Sequence, residues 1–304
     1  MIDRTSSSII FRRLAILLIP ITLNSCFSSK AITHNLPAHH TASGFKNLYV
    51  DDTSKSFFGF LAMKLFGETE WANHANRSKE VPVIDLNTES IQLNSDDLRI
   101  SWLGHCTFLL QWKDVNILTD PVFADRVSPF SFAGPKRYIP HVTNYESLPP
   151  IDYVIISHNH YDHLDSTAVN LLGNTPIYFV PLGLKAWFLD NGIKPNRIKE
   201  LDWWDSVSLT DVSIKALPSQ HWSARGLFDR RKTLWASWRI YLKGVDIWFA
   251  GDTGYNDKQF KEIGDKLGPV DLALIPIGGY SPRSFMGHYH VNPYEALKIH
   301  KDVK

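Results

Sequence analysis

Six consecutive residues carry four groups able to bind a metal or move a proton: His158-Asn159-His160-Tyr161-Asp162-His163. The stretch before them, Ile151-Asp152-Tyr153-Val154-Ile155-Ile156-Ser157, is apolar nearly throughout and reads as a buried strand. The four groups therefore leave a sheet together at one strand end. Unpaired polar side chains are costly to bury, and a divalent cation satisfies several at once. Alternate residues of an extended loop point the same way, so His158 and His160 face one ion. Asp162 and His163, after the turn, reach a second.

Two further donors follow strands of their own. His221 stands after Ile214–Leu217 in Pro218-Ser219-Gln220-His221-Trp222, and Asp252 follows Ile247–Ala250 in Gly251-Asp252-Thr253-Gly254. A third imidazole completes three nitrogens around the first ion, and a carboxylate can bridge both. Alone, each would be an ordinary loop residue; their order behind the His-x-His-x-Asp-His loop gives them meaning.

That order resembles the metallo-β-lactamase superfamily, over roughly residues 95–304. The flanking text resembles its N-acylphosphatidylethanolamine-hydrolysing phospholipase D branch: Trp102-Leu103-Gly104-His105, Leu118-Thr119-Asp120-Pro121, Gly134-Pro135-Lys136-Arg137, Leu148-Pro149-Pro150-Ile151-Asp152, Leu201-Asp202-Trp203-Trp204, Gly251-Asp252-Thr253-Gly254-Tyr255 and Ile275-Pro276-Ile277-Gly278. The resemblance implies an α/β fold, an αββα sandwich carrying one or two zinc ions, with two expected in the family and one possible here. It implies zinc ligands at His158, His160, Asp162, His163, His221 and Asp252, with His290 contacting substrate. It also implies a phospholipid substrate, N-acylphosphatidylethanolamine, cleaved to N-acylethanolamine and phosphatidic acid. In such a site a hydroxide between two ions about 3.5 to 4 Å apart attacks phosphorus, and the ions clamp the phosphoryl oxygens. Asp162 would orient the hydroxide, and His290 would protonate the leaving alkoxide or donate to the phosphoryl group. Members of the family continue after the last helix into one more strand, ending in a His that ligates the second ion. As written, Lys304 ends the sequence before that strand, so the sandwich is expected to lack its final strand and the second ion has Asp162, His163 and bridging Asp252, one donor short; the sequence is then either an incomplete gene product or a degenerate, catalytically dead copy. His105 and Asp120 either buttress the ligands or serve ordinary turn and core roles.

Strands and helices must position these groups. The pattern predicts strands at Leu98–Trp102, Thr107–Trp112, Val115–Thr119, Tyr153–Ser157, Ile177–Val180, Val212–Leu217, Leu234–Leu242, Val245–Ala250 and Leu272–Pro276. It predicts helices at Leu182–Asn191, Asp257–Leu267 and Pro293–His300, the first two closed by Gly192 and Gly268. Strands with helices between the later ones suggest layered α/β with the helices outside. The hydrolase domain is expected over 81–304.

The N-terminal part reads as an address. Arg4, Arg12 and Arg13 precede the apolar run Leu14–Leu23, too short for a stable span but suited to a signal-peptide core. The run ends at Leu23-Asn24-Ser25-Cys26, resembling a bacterial lipobox, so residues 1–26 are expected as a lipoprotein signal and Cys26 as the lipidated N-terminus. Residues 27–80 read as a tether containing an amphipathic helix over Ser56–Gly67, which could lie on a bilayer, wall off lipid chains or pack on the core. His34, His39, His40 and His74 are expected in solvent outside the fold. A bacterial cell-envelope protein held to a membrane by its lipid follows. With 32 Lys+Arg against 31 Asp+Glu, the chain lacks the basic excess of a nucleic-acid binder. Arg225, Arg230, Arg231 and Lys232 form one basic run, suited to anionic head groups or to a solvated face. Another hydrolase of the superfamily, such as a lactonase or nucleotide phosphodiesterase, is the alternative. Oligomeric state is not legible.

Overall fold

Neighbouring apolar residues on a strand point to opposite faces, so a strand buried on both sides feeds two cores. Leu110, Ile117, Ile155 and Phe179 enter one cluster, while the adjacent Leu109, Leu118, Val154 and Tyr178 enter another. This alternation builds a four-layer molecule.

The structure is a computed structural model that describes residues 36–51, 57–67, 78–84, 86, 88–92 and 95–304. The expected signal segment, lipidated Cys26, His34 and His74 lie outside the described residues. A short antiparallel hairpin, β1 (His40–Thr41) and β2 (Gly44–Phe45), comes first, followed by helices α1 (Phe57–Phe66) and α2 (Thr88–Gln92). Then come β3 (Ser95–Gly104), β4 (Thr107–Lys113), β5 (Val115–Thr119), β6 (Tyr153–Ile155), helix α3 (Ser166–Leu172), β7 (Ile177–Pro181), helix α4 (Lys185–Asp190) and β8 (Ile198–Leu201). The second half holds β9 (Ser206–Ser208), β10 (Val212–Leu217), β11 (Ser237–Leu242), β12 (Val245–Phe249), α5 (Gln259–Leu267), β13 (Leu272–Leu274), α6 (Arg283–Met286) and α7 (Pro293–Asp302).

Among the described residues the large sheets have the orders β3-β4-β5-β6-β7-β8 and β13-β12-β11-β10-β9. In the first, β3 to β5 pair antiparallel and β5 to β8 parallel. In the second, β9 to β12 pair antiparallel and β13 joins β12 in parallel. The inner faces share one core, where Ile155 and Phe179 meet Ile214, Trp238, Ile240 and Phe249. Outside the first sheet, Ala168 and Val169 of α3 and Phe188 of α4 cover Val154 and Tyr178. Outside the second, Phe260 and Ile263 of α5 and Ala296 and Ile299 of α7 cover Trp248. These layers are the expected αββα sandwich.

Several boundaries and elements differ from the sequence reading. Strand β11 begins at Ser237 rather than Leu234, because Leu234 and Ala236 bond to Leu182 and Ser157 outside the ladder. Strands β8 and β9 and helix α3 are additions. Residues 37–50, expected within a tether, are folded: Phe45 is buried in the inter-sheet core. His39 and His40, expected in solvent, bond the two oxygens of Asp202 at 2.6 and 2.7 Å, and the His39 ring stacks on Trp203. Helix α1 forms inside the expected Ser56–Gly67 span, with Leu65 and Phe66 exposed. No helix among the described residues is long and apolar enough to cross a membrane.

Candidate metal centre

Strands β3, β5, β6, β10 and β12 end on one side of the sandwich, and the sequence-predicted donors lie in the turns that follow them. After β5, Asp120 adopts φ +34°, and both its oxygens are taken up by Ser157 after β6: the Ser157 N–H and hydroxyl each donate at 2.6 Å. Behind the histidine loop, Asp165 caps α3 by accepting from Thr167 and Ala168, and also accepts from Phe123 and Ala124. On the opposite sheet Gly251 has φ +58°, and a Cβ there would sit 2.6 Å from Cβ of Ser157. Only glycine lets the two strand ends approach so closely.

Four of the expected donors belong together at one place. Nδ1 of His160 lies 2.8 Å from Nε2 of His158 and 3.3 Å from Nε2 of His221. The other nitrogens of two of these rings are pinned from behind. Nδ1–H of His158 donates to Ser157 Oγ at 2.9 Å, and Nδ1–H of His221 donates to the Tyr289 carbonyl at 3.0 Å. Such bonds select the tautomer and aim the remaining lone pair. Oδ2 of Asp252 lies 3.8 Å from His221 Nε2 and 3.2 Å from His163 Nε2, between the two donor sets. His163 in turn donates from Nδ1 to Asp120 at 2.7 Å, while Asp162 Oδ2 stands 3.9 Å from its Nε2. Three imidazoles and one carboxylate on one side, two carboxylates and an imidazole on the other, fit a pair of borderline divalent ions. His158, His160, His221, His163, Asp162 and Asp252 are thus the residues that could hold them.

The electrostatics match. Burial, reinforced by the neighbouring imidazoles, holds His158 and His221 well below the usual histidine range; burial brings His160 down to about 4. These three are neutral at pH 7, as metal ligands must be. For His163, burial works against protonation, but Asp252, the Cys106 thiol, Asp162 and Asp120 outweigh it and draw its pKa well up. Asp252 is held well down, burial being overcome first by His163 and then by His290. The Cys106 thiol beside this cluster is pushed up to about 12 by burial. A donor set of this kind concentrates opposite charges that a cation would reorganise.

Comparison with known proteins decides the family. Residues 115–304 match the Beta-lactamase superfamily domain. The chain is 43% identical over 248 residues to N-acyl-phosphatidylethanolamine-hydrolyzing phospholipase D 1 of Caenorhabditis elegans, spanning 76% of this chain and 70% of that protein. The chain belongs to the metallo-β-lactamase superfamily, in its N-acylphosphatidylethanolamine phospholipase D-like branch. The mitochondrial N-acyl-phosphatidylethanolamine-hydrolyzing phospholipase D of Saccharomyces cerevisiae is 36% identical over 212 residues, 67% of this chain and 45% of the yeast protein. The chain therefore spans less than half of that relative. Two solved structures share the fold. One is a metallo hydrolase from Ignicoccus hospitalis (TM-score 0.51, 22% identity, 68% of this chain and 78% of that one). The other is isothiocyanate hydrolase from Delia radicum gut bacteria (TM-score 0.53, 20% identity, 68% and 80%).

This metallo-hydrolase places the remaining sequence-selected residues unevenly. His290 joins the centre, with Nδ1 3.7 Å from Asp252 Oδ2 and its ring 5.2 Å from that of His221. Arg225 does not face a ligand. Its guanidinium lies over Tyr161 at 4.0 Å and donates to the carbonyls of Asn159 and Leu164, clamping the histidine loop. Arg230 stacks on Trp222 at 3.8 Å. The basic run is therefore largely internal bracing rather than a head-group surface.

Asn47 was missed. Its amide donates to the His221 carbonyl at 3.0 Å and its oxygen accepts from the His221 N–H at 3.2 Å. Partners 174 positions apart leave no local signal.

A cavity of about 820 Å³ opens beside the centre. Its walls are mostly apolar, including Val83, Ile84, Leu103, Ile139 and Val142, and His105 and Asp162 are among the residues that line it. Arg137, also on the wall, donates from Nη2 to the Val122 carbonyl at 2.7 Å and leaves its buried Nε without a partner.

Proposed function

We propose that this metallo-hydrolase is a zinc-dependent phosphodiester hydrolase of phospholipase D type, cleaving N-acylphosphatidylethanolamine to N-acylethanolamine and phosphatidic acid. The observation that carries the reading is the mostly apolar cavity whose lining includes His105 and Asp162 beside the donor clusters: ligand pockets of this size take a largely apolar molecule and place its polar part at a few fixed groups. An acyl chain fits such walls and leaves the phosphodiester beside the donor clusters. The nematode and yeast relatives, named for that lipid, support the same substrate.

His158, His160 and His221 would hold one ion, and Asp162 and His163 the other, with Asp252 between them. When bound, the pair supplies a water acidified toward a pKa of about 7 and a clamp for phosphoryl oxygens. Asp162 accepts a hydrogen bond from the attacking water and fixes its direction toward phosphorus. The new bond joins the water oxygen to phosphorus, and the bond to the ethanolamine oxygen breaks. His290, held by Asp252, donates from Nε2 to that departing oxygen. Arg137 on the cavity wall supplies a positive charge suited to the lipid's phosphate.

The test is hydrolysis of N-acylphosphatidylethanolamine in mixed phosphatidylcholine vesicles by zinc-loaded protein, with both products quantified. Release in equal amounts, abolished in His158→Ala, is expected. Turnover of a lactone, a nucleotide diester or nitrocefin with none of the lipid would overturn the substrate assignment, and inertness toward all of them would mark a binding scaffold. The same reading includes a lipid-modified Cys26 and attachment to the bacterial envelope membrane. A diacylated Cys26 peptide by mass spectrometry is expected, and an unmodified mature N-terminus would exclude the anchor.

A further inference from the structure

We propose that the cavity walled by Lys46, Arg231 and Lys258 is a second binding site, separate from the metal centre, and that it takes a terminal phosphate group. The inference is independent of the substrate reading above.

The cavity has a volume of about 570 Å³, within the range of ligand pockets. None of the proposed metal ligands lines it, and its walls are mostly polar, unlike those of the larger cavity beside the centre. Three separate segments each bring one cation: Lys46 from the stretch 37–50, Arg231 from the loop between β10 and β11, and Lys258 from the turn before α5. Among the described lining residues Asp51 alone is acidic. The wall therefore carries an excess of positive charge, and a terminal phosphate carries about −1.5 to −2 at pH 7 to meet it. A guanidinium fork beside two ammonium groups is also a donor set suited to phosphate oxygens.

The fold holds these groups in place. Arg231 sits at φ +59°, with its N–H donating to the Ser223 carbonyl at 2.7 Å and its own carbonyl accepting from the Phe45 N–H at 2.9 Å. Gly44 makes that approach possible, since a Cβ there would lie 2.1 Å from the Arg231 oxygen. At the other end of the side chain, Nη2 of Arg231 donates to the Tyr289 hydroxyl at 3.3 Å. Neither Lys46 nor Lys258 forms an ion pair among the described residues. Glu262, one turn beyond Lys258, is already engaged: it accepts from the Tyr49 hydroxyl at 2.5 Å and from Lys266 at 2.6 Å. Like charges gathered from three segments repel one another, and a bound anion offsets that repulsion.

The phosphate could be free or the head of a membrane lipid, and one experiment separates the two. Amide resonances of the zinc-loaded full chain over Lys46–Asp51 and at Lys258 are followed during titration with inorganic phosphate, against sodium chloride at equal ionic strength. The titration is repeated on Lys46→Gln/Lys258→Gln, whose replaced side chains are exposed and leave the core untouched. In parallel, both proteins are spun with phosphatidylcholine vesicles containing either phosphatidic acid, which has a terminal phosphate, or phosphatidylglycerol at matched surface charge. A saturable phosphate response, weakened about tenfold or more in the double variant, is expected for a free anion. Pelleting that favours phosphatidic acid over phosphatidylglycerol, and loses that preference in the double variant, assigns the site to a lipid head group instead. Phosphate shifts that chloride reproduces or that the double variant keeps, together with no lysine-dependent preference for phosphatidic acid, would mean a solvated basic face and overturn the proposal. Phosphate bound at the metal centre does not confuse the result, because the double variant leaves every proposed metal ligand in place.

Discussion

Oδ2 of Asp120 accepts a hydrogen bond from Nδ1 of His163 at 2.7 Å, and neither side chain touches solvent. Burial pushes Asp120 upward in pKa, while His163 and Ser157 pull it back. The bond fixes the His163 tautomer so that Nε2 faces Asp252. Asp120→Asn keeps the shape but can present an N–H to the wrong ring nitrogen. Zinc affinity at the second ion should fall about 10–100-fold, read by competition with a chromophoric chelator. Asp120→Ala removes one partner of a buried pair and should cost about 3–5 kcal/mol in urea unfolding. Unchanged stability in the alanine variant would mean water replaces the carboxylate freely.

Metal removal should make the fold sensitive to mild acid. His158, His160 and His221 have folded pKa values below the ordinary 6.5, so in the metal-free protein the unfolded chain takes up their protons first. Stability then rises with pH across the window from His160's value of about 4 to 6.5, and falls as the solution is acidified, by on the order of 1 kcal/mol per pH unit for each such histidine. His163, with its raised pKa, works in the opposite direction: its contribution is complete below 6.5 and is lost as pH rises through its folded value. Three groups against one leave a net loss on acidification. Calorimetry of chelator-treated protein between pH 7 and 5 should show a falling Tm, and zinc at about 1,000 times its Kd should restore about 4 kcal/mol at pH 7. A metal-free Tm that is flat or rises on acidification would contradict this sign.

The clasp at residues 37–50 has its own pH dependence. Burial raises the Asp202 carboxyl, but hydrogen bonds from His39 and His40 outweigh it and leave its pKa below the usual value. A depressed carboxylate contributes stability that is present above its unfolded pKa of about 3.9 and lost as pH falls through the folded value. Hydrogen exchange over Pro37–Val50 should therefore quicken below about pH 4, while Asp202→Asn should exchange fast at neutral pH as well. Because Asn47 in the same segment braces His221, the variant should also weaken zinc binding. Full protection of the segment in Asp202→Asn would show that Phe45 alone holds it.

What the sequence made legible was local, and what it hid was distant. His158, His160, Asp162 and His163 share one loop behind an apolar strand, so their convergence needs only the period of an extended chain. His221 and Asp252 follow strands whose apolar alternation is visible. The brace from Asn47 and the clasp on Asp202 depend on contacts more than 160 positions apart, within text rich in turn formers. Strand β8 reads Ile-Lys-Glu-Leu with only its ends buried, a pattern that resembles polar loop more than sheet. Arg225 misled for a related reason: composition shows a charge but not the rings it stacks on. His105 was visible as a polar residue at a strand end, while its distance to Asp162 belongs to the fold.

If the apolar cavity receives an acyl chain, its walls should set chain length. Ala124 lines the cavity together with Val142 and Ile139, and it is a small residue among larger ones. Ala124→Trp would fill part of the space without touching any proposed ligand. With lipid substrates of graded N-acyl and glycerol-acyl length, the variant should shift its preference toward shorter chains and lose about tenfold or more in kcat/KM for long ones, since each displaced methylene forfeits about 0.8 kcal/mol of burial. Zinc content and turnover of a short water-soluble phosphodiester should remain unchanged, which separates a blocked cavity from a damaged centre. An unaltered chain-length profile would place the acyl chains elsewhere on the surface and leave the cavity without a role in substrate selection.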